Sequence, residues 1–419
     1  MALVFASTMR CLQVARLALL LGLLASLCGC AAPVDPLDGL TPIGDDPSDH
    51  PIAGIDAAWN ERFVAGDALF DEVFVEATGL GPLYIRTRCA SCHAADGRGP
   101  GVVGKMAILG ADGEPQLMPT ELPFGPTVRP LRAAGATLGI EPPRDVDGLY
   151  VVNRASPAVF ARGYLEAIAD SELERVEAAQ STRTDGISGR VHRVVYGSVS
   201  SADTTFHAHV RGERVFGRFG VKARIATLDD FVADAYQGDI GITSPLRPDE
   251  LANPDALSDD ASPGVDVDLE TVARVADYLR LLAIPRRERT NGTSGEALFS
   301  RVGCDTCHVP TLRTRADYPI AQLADLDAPV YTDLLLHDMG AALSDGQRDG
   351  DAAPSEFRTA PLIGLRFFRS YLHDGRAPTV DDAIRFHGVD GSEASAAAAR
   401  FEALSAADRV ELVRFVTAL

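Results

Sequence analysis

The chain has 419 residues, with 39 Lys or Arg against 59 Asp or Glu, a formal charge of −20 at pH 7. This length leaves room for two or three domains with ample core. The charge excludes nucleic acid as a partner, because no basic stripe is present to neutralise phosphates, while it suits a basic protein partner.

At the N-terminus, Arg10 and Arg16 flank the start of an apolar run, Leu17 to Leu27, that contains no Asp or Glu. The run is short for a spanning helix and reads as the core of a signal peptide, residues 1–29. It ends in Leu27-Cys28-Gly29-Cys30, where a small residue precedes a cysteine as in a bacterial lipobox. Cys30 is therefore the expected lipidation site. Acyl chains there would hold a soluble body on a membrane surface, on the periplasmic side of a bacterial membrane, the outer membrane being the expected one. Residues 30–60, rich in Pro, Asp and Gly, read as a flexible tether.

Helical spacing of Phe63, Leu69, Phe70, Val73 and Phe74 predicts a helix that begins near Glu61 and stops before Gly79 and Gly81. Directly after it comes Cys89-Ala90-Ser91-Cys92-His93, and far downstream its echo, Cys304-Asp305-Thr306-Cys307-His308. Two thiols three positions apart lie on one side of a helical turn. They can add to both vinyl groups of one haem, with the adjacent imidazole delivered to its iron. Each motif therefore predicts one covalent haem c: Cys89 and Cys92 with His93, and Cys304 and Cys307 with His308. Of the seven cysteines, Cys11 and Cys28 leave with the leader and Cys30 takes lipid, so none is left for a disulfide. Attachment of haem c also implies a compartment outside the cytoplasm.

Between Asp96 and about Val146 glycines and prolines recur every few residues, and the stretch reads as irregular loop wrapped over a cofactor. Helices are predicted over residues 157–169, over 171–179 with Ser171 as N-cap and Glu174 in the capping-box position, and over 228–236. Residues 249–268 form a Pro- and Asp-rich acidic loop, whose oxygens suit a calcium ion although no recognisable loop spacing is present. An amphipathic helix follows over 269–284, ended by Pro285. After a connector at 286–295, Gly295-Glu296-Ala297-Leu298-Phe299 repeats Gly66-Asp67-Ala68-Leu69-Phe70. A closing helix over 408–419, led by Ser405, repeats the one over 269–284. The expected fold is mainly α: two cytochrome c-like haem domains from an internal duplication, 61–285 and 286–419, with long wrapping loops.

Each iron has a second axial position, and its occupant decides between electron transfer and binding of peroxide or oxygen. The candidates are His192, His207, His209, His337, His373 and His387, with Met106, Met118 and Met339; His50 lies in the tether.

Three segments resemble the C-terminal signature of bacterial di-haem cytochrome c peroxidases: Phe357-Arg358-Thr359-Ala360-Pro361-Leu362-Ile363-Gly364, Tyr371-Leu372-His373-Asp374-Gly375-Arg376, and Thr379-Val380-Asp381-Asp382-Ala383-Ile384-Arg385-Phe386-His387-Gly388. With Leu334-Leu335-Leu336-His337-Asp338-Met339-Gly340, Tyr164-Leu165-Glu166-Ala167-Ile168, Asp185-Gly186-Ile187-Ser188-Gly189-Arg190 and Gly217-Arg218-Phe219-Gly220, they are more closely similar to the related di-haem oxidoreductase family, sometimes labelled thiol oxidoreductases. The resemblance runs from about Gly66 to Leu419. It implies that the N-terminal haem binds peroxide while the C-terminal haem takes electrons from a donor, such as a cytochrome or cupredoxin, and relays them. It also implies a carboxylate near the open face of the first haem that serves as acid and base on the peroxide O–O bond, for which Glu166 is the candidate. The position after the Asp-Ala-Ile run carries a methionine ligand in the peroxidases and is His387 here. His387 is thus the expected distal ligand of the second haem, with Met339 the alternative, and an imidazole there lowers the potential. The tryptophan between the haems of the peroxidases has no counterpart, since the single Trp, Trp59, precedes the first motif. The implied function is a di-haem oxidoreductase that reduces peroxide or oxidises a partner. A non-catalytic di-haem electron-transfer lipoprotein, and an oxidase or oxygenase acting on an organic or protein substrate, stay open beside it.

Overall fold

A computed structural model describes residues 50–94, 101–116, 121–199, 205–287 and 294–419. The expected signal peptide, Cys30, most of the tether, Met118 and most of the 286–295 connector lie outside the described residues. The helices are α1 (Ala57–Phe70), α2 (Arg162–Ala167), α3 (Asp170–Ser181), α4 (Leu228–Ala235), α5 (Leu269–Leu281), α6 (Ser294–Val302), α7 (Val380–Phe386), α8 (Ser395–Glu402) and α9 (Ala406–Ala418).

Side-chain caps set several of these starts. Asp56 accepts from the Trp59 amide at 2.9 Å, Asp268 from Thr271 at 2.8 Å and Ser405 from Asp408 at 3.1 Å. The Asp56 cap begins α1 earlier than the apolar spacing suggests, and the helix stops at Phe70, leaving Val73 exposed and Phe74 buried beyond it. The helix predicted over 157–169 shrinks to α2, because Ala161 adopts a left-handed backbone with φ 62°. Ser171 lies inside α3 and is not its cap.

The fold is not mainly α. Alongside the helices, among the described residues, five separate two-stranded antiparallel sheets pair β1 (Leu83–Tyr84) with β3 (Leu131–Arg132), β2 (Val102–Ile108) with β4 (Leu149–Ala155), β5 (Arg193–Val195) with β6 (Arg214–Phe216), β7 (Leu312–Arg313) with β8 (Asp327–Ala328), and β9 (Leu336–Asp338) with β10 (Glu356–Arg358). The longest ladder runs from Val102 opposite Ala155 to Ile108 opposite Leu149 and begins inside the stretch expected to be loop. β-branched residues, Val102, Val103 and Ile108 on one strand and Val151 and Val152 on the other, favour that pairing. The glycines and prolines around it punctuate turns between strands, which loop-like composition hides.

α1 lies across α5, and α6 across α9. A Cβ on Gly66 would fall 2.6 Å from the Tyr278 Cβ, and one on Gly295 would fall 2.5 Å from the Phe415 Cβ. The repeated Gly-acidic-Ala-Leu-Phe run therefore marks two close helix crossings, each leading into a Cys-x-x-Cys-His turn. Around the second crossing Phe299, Tyr331, Phe401, Leu412 and Phe415 form an apolar cluster. No helix among the described residues is long and apolar enough to cross a membrane.

Candidate functional site

Each Cys-x-x-Cys-His segment opens in a short 3₁₀ turn, Cys89–Ser91 and Cys304–Thr306. The His93 amide donates to the Cys89 carbonyl at 3.1 Å and the His308 amide to the Cys304 carbonyl at 2.9 Å. Both thiols and the imidazole of each motif thus stand on one turn. None of these four cysteines is in a disulfide. Burial, followed by the Asp239 charge at Cys89 and the Asp305 charge at Cys304, pushes these two thiols up to about 12.

Around the second motif lies an apolar cavity of about 310 Å³, lined by Cys304, Cys307, His308, Met339 and His387. The His308 Nδ1 is 3.2 Å from the Tyr331 carbonyl, and the His387 Nδ1 is 2.7 Å from the Ala383 carbonyl in the last turn of α7. A carbonyl only accepts, so each Nδ1 carries the proton and each Nε2 keeps its lone pair, the tautomer a metal ligand needs. Burial, followed by the neighbouring His387, pulls the His308 imidazole down to about 4, and burial also lowers His387. Both are therefore neutral at pH 7. Their ring centroids are 6.5 Å apart. Two imidazoles sharing one metal through bonds of about 2 Å place their centroids roughly 6 Å apart. Paired thiols, apolar walls and two neutral imidazoles with free Nε2 lone pairs are residues that fit a haem.

The first motif is built alike on its proximal side. Burial pulls His93 down to about 4, and its ring lies 6.1 Å from Phe70. Residues 95–100, which follow it, lie outside the described residues. One segment, 155–162, touches both sites. Ser156 Oγ donates to the Cys92 carbonyl at 2.9 Å, and the Pro157 carbonyl faces His93. Pro157, Ala158, Phe160 and Arg162 meanwhile line the second cavity, where Phe160 stacks on Phe368 at 6.4 Å. Trp59 packs instead on Phe206, 6.1 Å between centroids.

Of the other candidates, His337 and His373 also line the cavity and the rest of those described lie away from it. His337 bonds Asp333 at 2.9 Å and Glu393 at 2.7 Å, 3.8 Å from the Cys307 sulfur. Burial opposes its charge, but the two carboxylates outweigh burial and hold it protonated, a state that cannot ligate iron. His373 lines the cavity and stacks on Phe357 at 4.1 Å, with its Nε2 buried and unpartnered. The His192 Nδ1 meets the Lys222 carbonyl at 2.7 Å, and His207 stacks on His209 at 5.1 Å, neither pair lining the cavity. Met106 is buried with Leu83 and Ile108 in a separate apolar cluster.

Glu166, expected beside the first haem, is not among the residues that line the cavity around the second motif. Its carboxylate accepts from Arg280 Nε at 2.6 Å, the Tyr318 hydroxyl at 2.8 Å and the Leu228 amide at 2.7 Å. Burial would raise its pKa, but Arg280 outweighs burial and holds it ionised. Glu166 is the counter-ion of Arg280. A carboxyl that sequence reasoning passed over, Asp239, stands beside Cys89 and Cys92 instead, where burial, against the pull of Lys105, pushes it up to about 6. Nothing in its Gln-Gly-Asp surroundings marks it, because its neighbours come from distant parts of the chain. In the acidic loop Glu250, Asp260 and Asp266 bring carboxylate oxygens within 4.8 Å of one another, an arrangement that by itself does not specify a cation.

A family model described as "Di-haem oxidoreductase, putative peroxidase" matches residues 145–419. No curated protein matches the chain. Among solved structures the chain is similar to the hydrazine synthase of Kuenenia stuttgartiensis, at 14% identity, covering 93% of this chain and 97% of that one, with a TM-score of 0.35, too low to bear on fold or function.

Proposed function

The chain belongs to the di-haem oxidoreductase family, and on that premise we propose that it holds two haems c and passes electrons between them to reduce peroxide or oxidise a partner. Haem, when bound, supplies one-electron redox chemistry and, where an axial position is open, a place for peroxide. Reduction of one hydrogen peroxide consumes two electrons and two protons and yields two waters.

The chain supplies position and protons. In this reading Cys304 and Cys307 would hold one haem, with His308 and His387 rather than Met339 as the residues that would ligate its iron. Cys89, Cys92 and His93 hold the other. Asp239, with a carboxyl that ionises near pH 6, carries a proton beside the first motif. Segment 155–162, which touches both motifs' surroundings, is the stretch of chain that would link the two groups. The acidic surface suits a basic cytochrome or cupredoxin as donor. The observation that carries the reading is the facing pair His308 and His387, each with its Nδ1 fixed on a backbone carbonyl.

Electron paramagnetic resonance of the mature protein tests it. We expect a low-spin haem that turns high-spin in His387→Ala; an unaltered spectrum removes His387 as a ligand. If both haems are low-spin and peroxide changes nothing, a non-catalytic electron carrier replaces the enzyme. Asp239→Asn should remove the limb of the pH–rate profile near pH 6 while leaving both haem spectra in place. We further propose export and lipid attachment at Cys30, to be tested by whether Cys30→Ala releases the protein from membranes.

A further inference from the structure

We propose that Arg162 and Arg358 form a clamp for the propionate carboxylates of the haem held at Cys304 and Cys307, an inference that rests on the two-haem reading above. Both guanidiniums are buried, 7% and 8% exposed, and both line the cavity with Cys304, Cys307 and His308. Arg162, at the start of α2, donates through Nε to the Ala158 carbonyl at 2.7 Å, and its Nη2 donates to the same oxygen. Arg358, at the end of β10, donates to the Gly220 and Thr359 carbonyls, each at 3.1 Å. Neither takes part in an ion pair among the described residues. Three other buried cations do: Arg280 meets Glu166, Asp229 and Asp277, Arg218 meets Asp170, and Lys222 meets Asp345, whereas buried Arg129, away from the cavity, donates to the Ala252 carbonyl.

Two unpaired cations side by side in an apolar cavity are unfavourable, because burial strips their hydration and each repels the other. Burial and then Arg358 pull Arg162 down to about 9, and burial pulls Arg358 down to about 10 against the attraction of the nearby Asp333 carboxylate, which forms no ion pair with it. An anion at the same place offsets both effects. The cavity's own chemistry identifies it. A haem joined to Cys304 and Cys307 through its vinyl edge carries two carboxylates on the opposite edge, so two guanidiniums match two propionates in charge. The planar guanidinium fork also matches a carboxylate in geometry. Arg162 lies near enough to His93 to lower its pKa, so the clamp stands on the side of the cavity that faces the first motif. Cations there offset the propionate charge that would otherwise favour ferric iron, and so raise the potential of the second haem.

The test uses the full mature chain. Arg162→Gln, Arg358→Gln and the corresponding Lys variants are compared with the wild type by mass, by haem content and by spectroelectrochemical titration from pH 5 to 8. A Cys304→Ala/Cys307→Ala chain identifies the second haem's signals by subtraction. We expect two haems in the wild type, a downward shift of the second haem's potential alone in each Gln variant, a new pH dependence of that potential as a released propionate titrates, and recovery of most of the shift with Lys. Two haems whose potentials do not move in the Gln variants overturn the clamp and leave the two-haem reading intact. A wild type without haem at the second motif overturns both. Should a Gln variant fail to fold, the propionate bending bands in the wild-type resonance Raman spectrum decide: bands of unbonded propionates overturn the clamp.

Discussion

Glu166 and His387 both stand in segments similar to a family motif, yet their surroundings differ in kind. His387 faces His308 across a cavity with its lone pair free, whereas Glu166 is wrapped by Arg280, Tyr318 and the Leu228 amide. Breaking a buried pair by removing one partner costs about 3–5 kcal/mol, because the remaining charge is left without compensation. Glu166→Gln should therefore lower stability by that order in chemical denaturation while the haem spectra stay as in the wild type; altered spectra with unchanged stability would restore a catalytic place for Glu166. The covalent haem ligands are legible in sequence because their chemistry is local, two thiols and an imidazole within five residues. Arg280 lies 114 residues from Glu166, and Arg162 lies almost 200 positions from Arg358. Pairings over such distances leave no trace in local spacing.

At the scale of elements, α4, α5 and α9, each with a side-chain cap, lie close to the segments expected from sequence, whereas α7, capped by Thr379, is not among those segments. The β2–β4 ladder escaped because its two strands are separated by a long insertion rich in turn residues and each is only seven residues long. The two glycines of the repeated run carry a requirement that sequence suggests but does not explain: helix axes cross where a methyl group would meet Tyr278 or Phe415. Gly66→Ala and Gly295→Ala should each destabilise by about 1–3 kcal/mol, the usual cost of overpacking a fixed contact. Thermal unfolding followed by circular dichroism reads this out, and a change below a few tenths of a kcal/mol would mean that the crossings are slack.

For the whole molecule, charge and pH set the conditions of stability. A net charge of −20 makes the compact state repel itself, so added salt should raise the melting temperature at pH 7 until screening is complete. Glu250 works in the same direction. Burial and the carboxylates of Asp260, Asp266 and Asp259 push it from 4.5 up to about 8. The folded protein then binds more protons than the unfolded chain between about pH 4.5 and 8, so this group's contribution falls as pH rises through that window. Glu250→Gln should leave the melting temperature little changed at pH 5 and raise it at pH 8; an equal shift at both values would assign the effect to packing.

The stretch from Ala155 to Arg162 is a party wall: Ser156 clasps one room from outside while Phe160 and Arg162 furnish the other. Neither room can be rebuilt alone. A lesion as small as Ser156→Ala, made nominally on the first side, should leave its mark in the second side's optical bands too, and the two halves of the protein would age, tune and fail together.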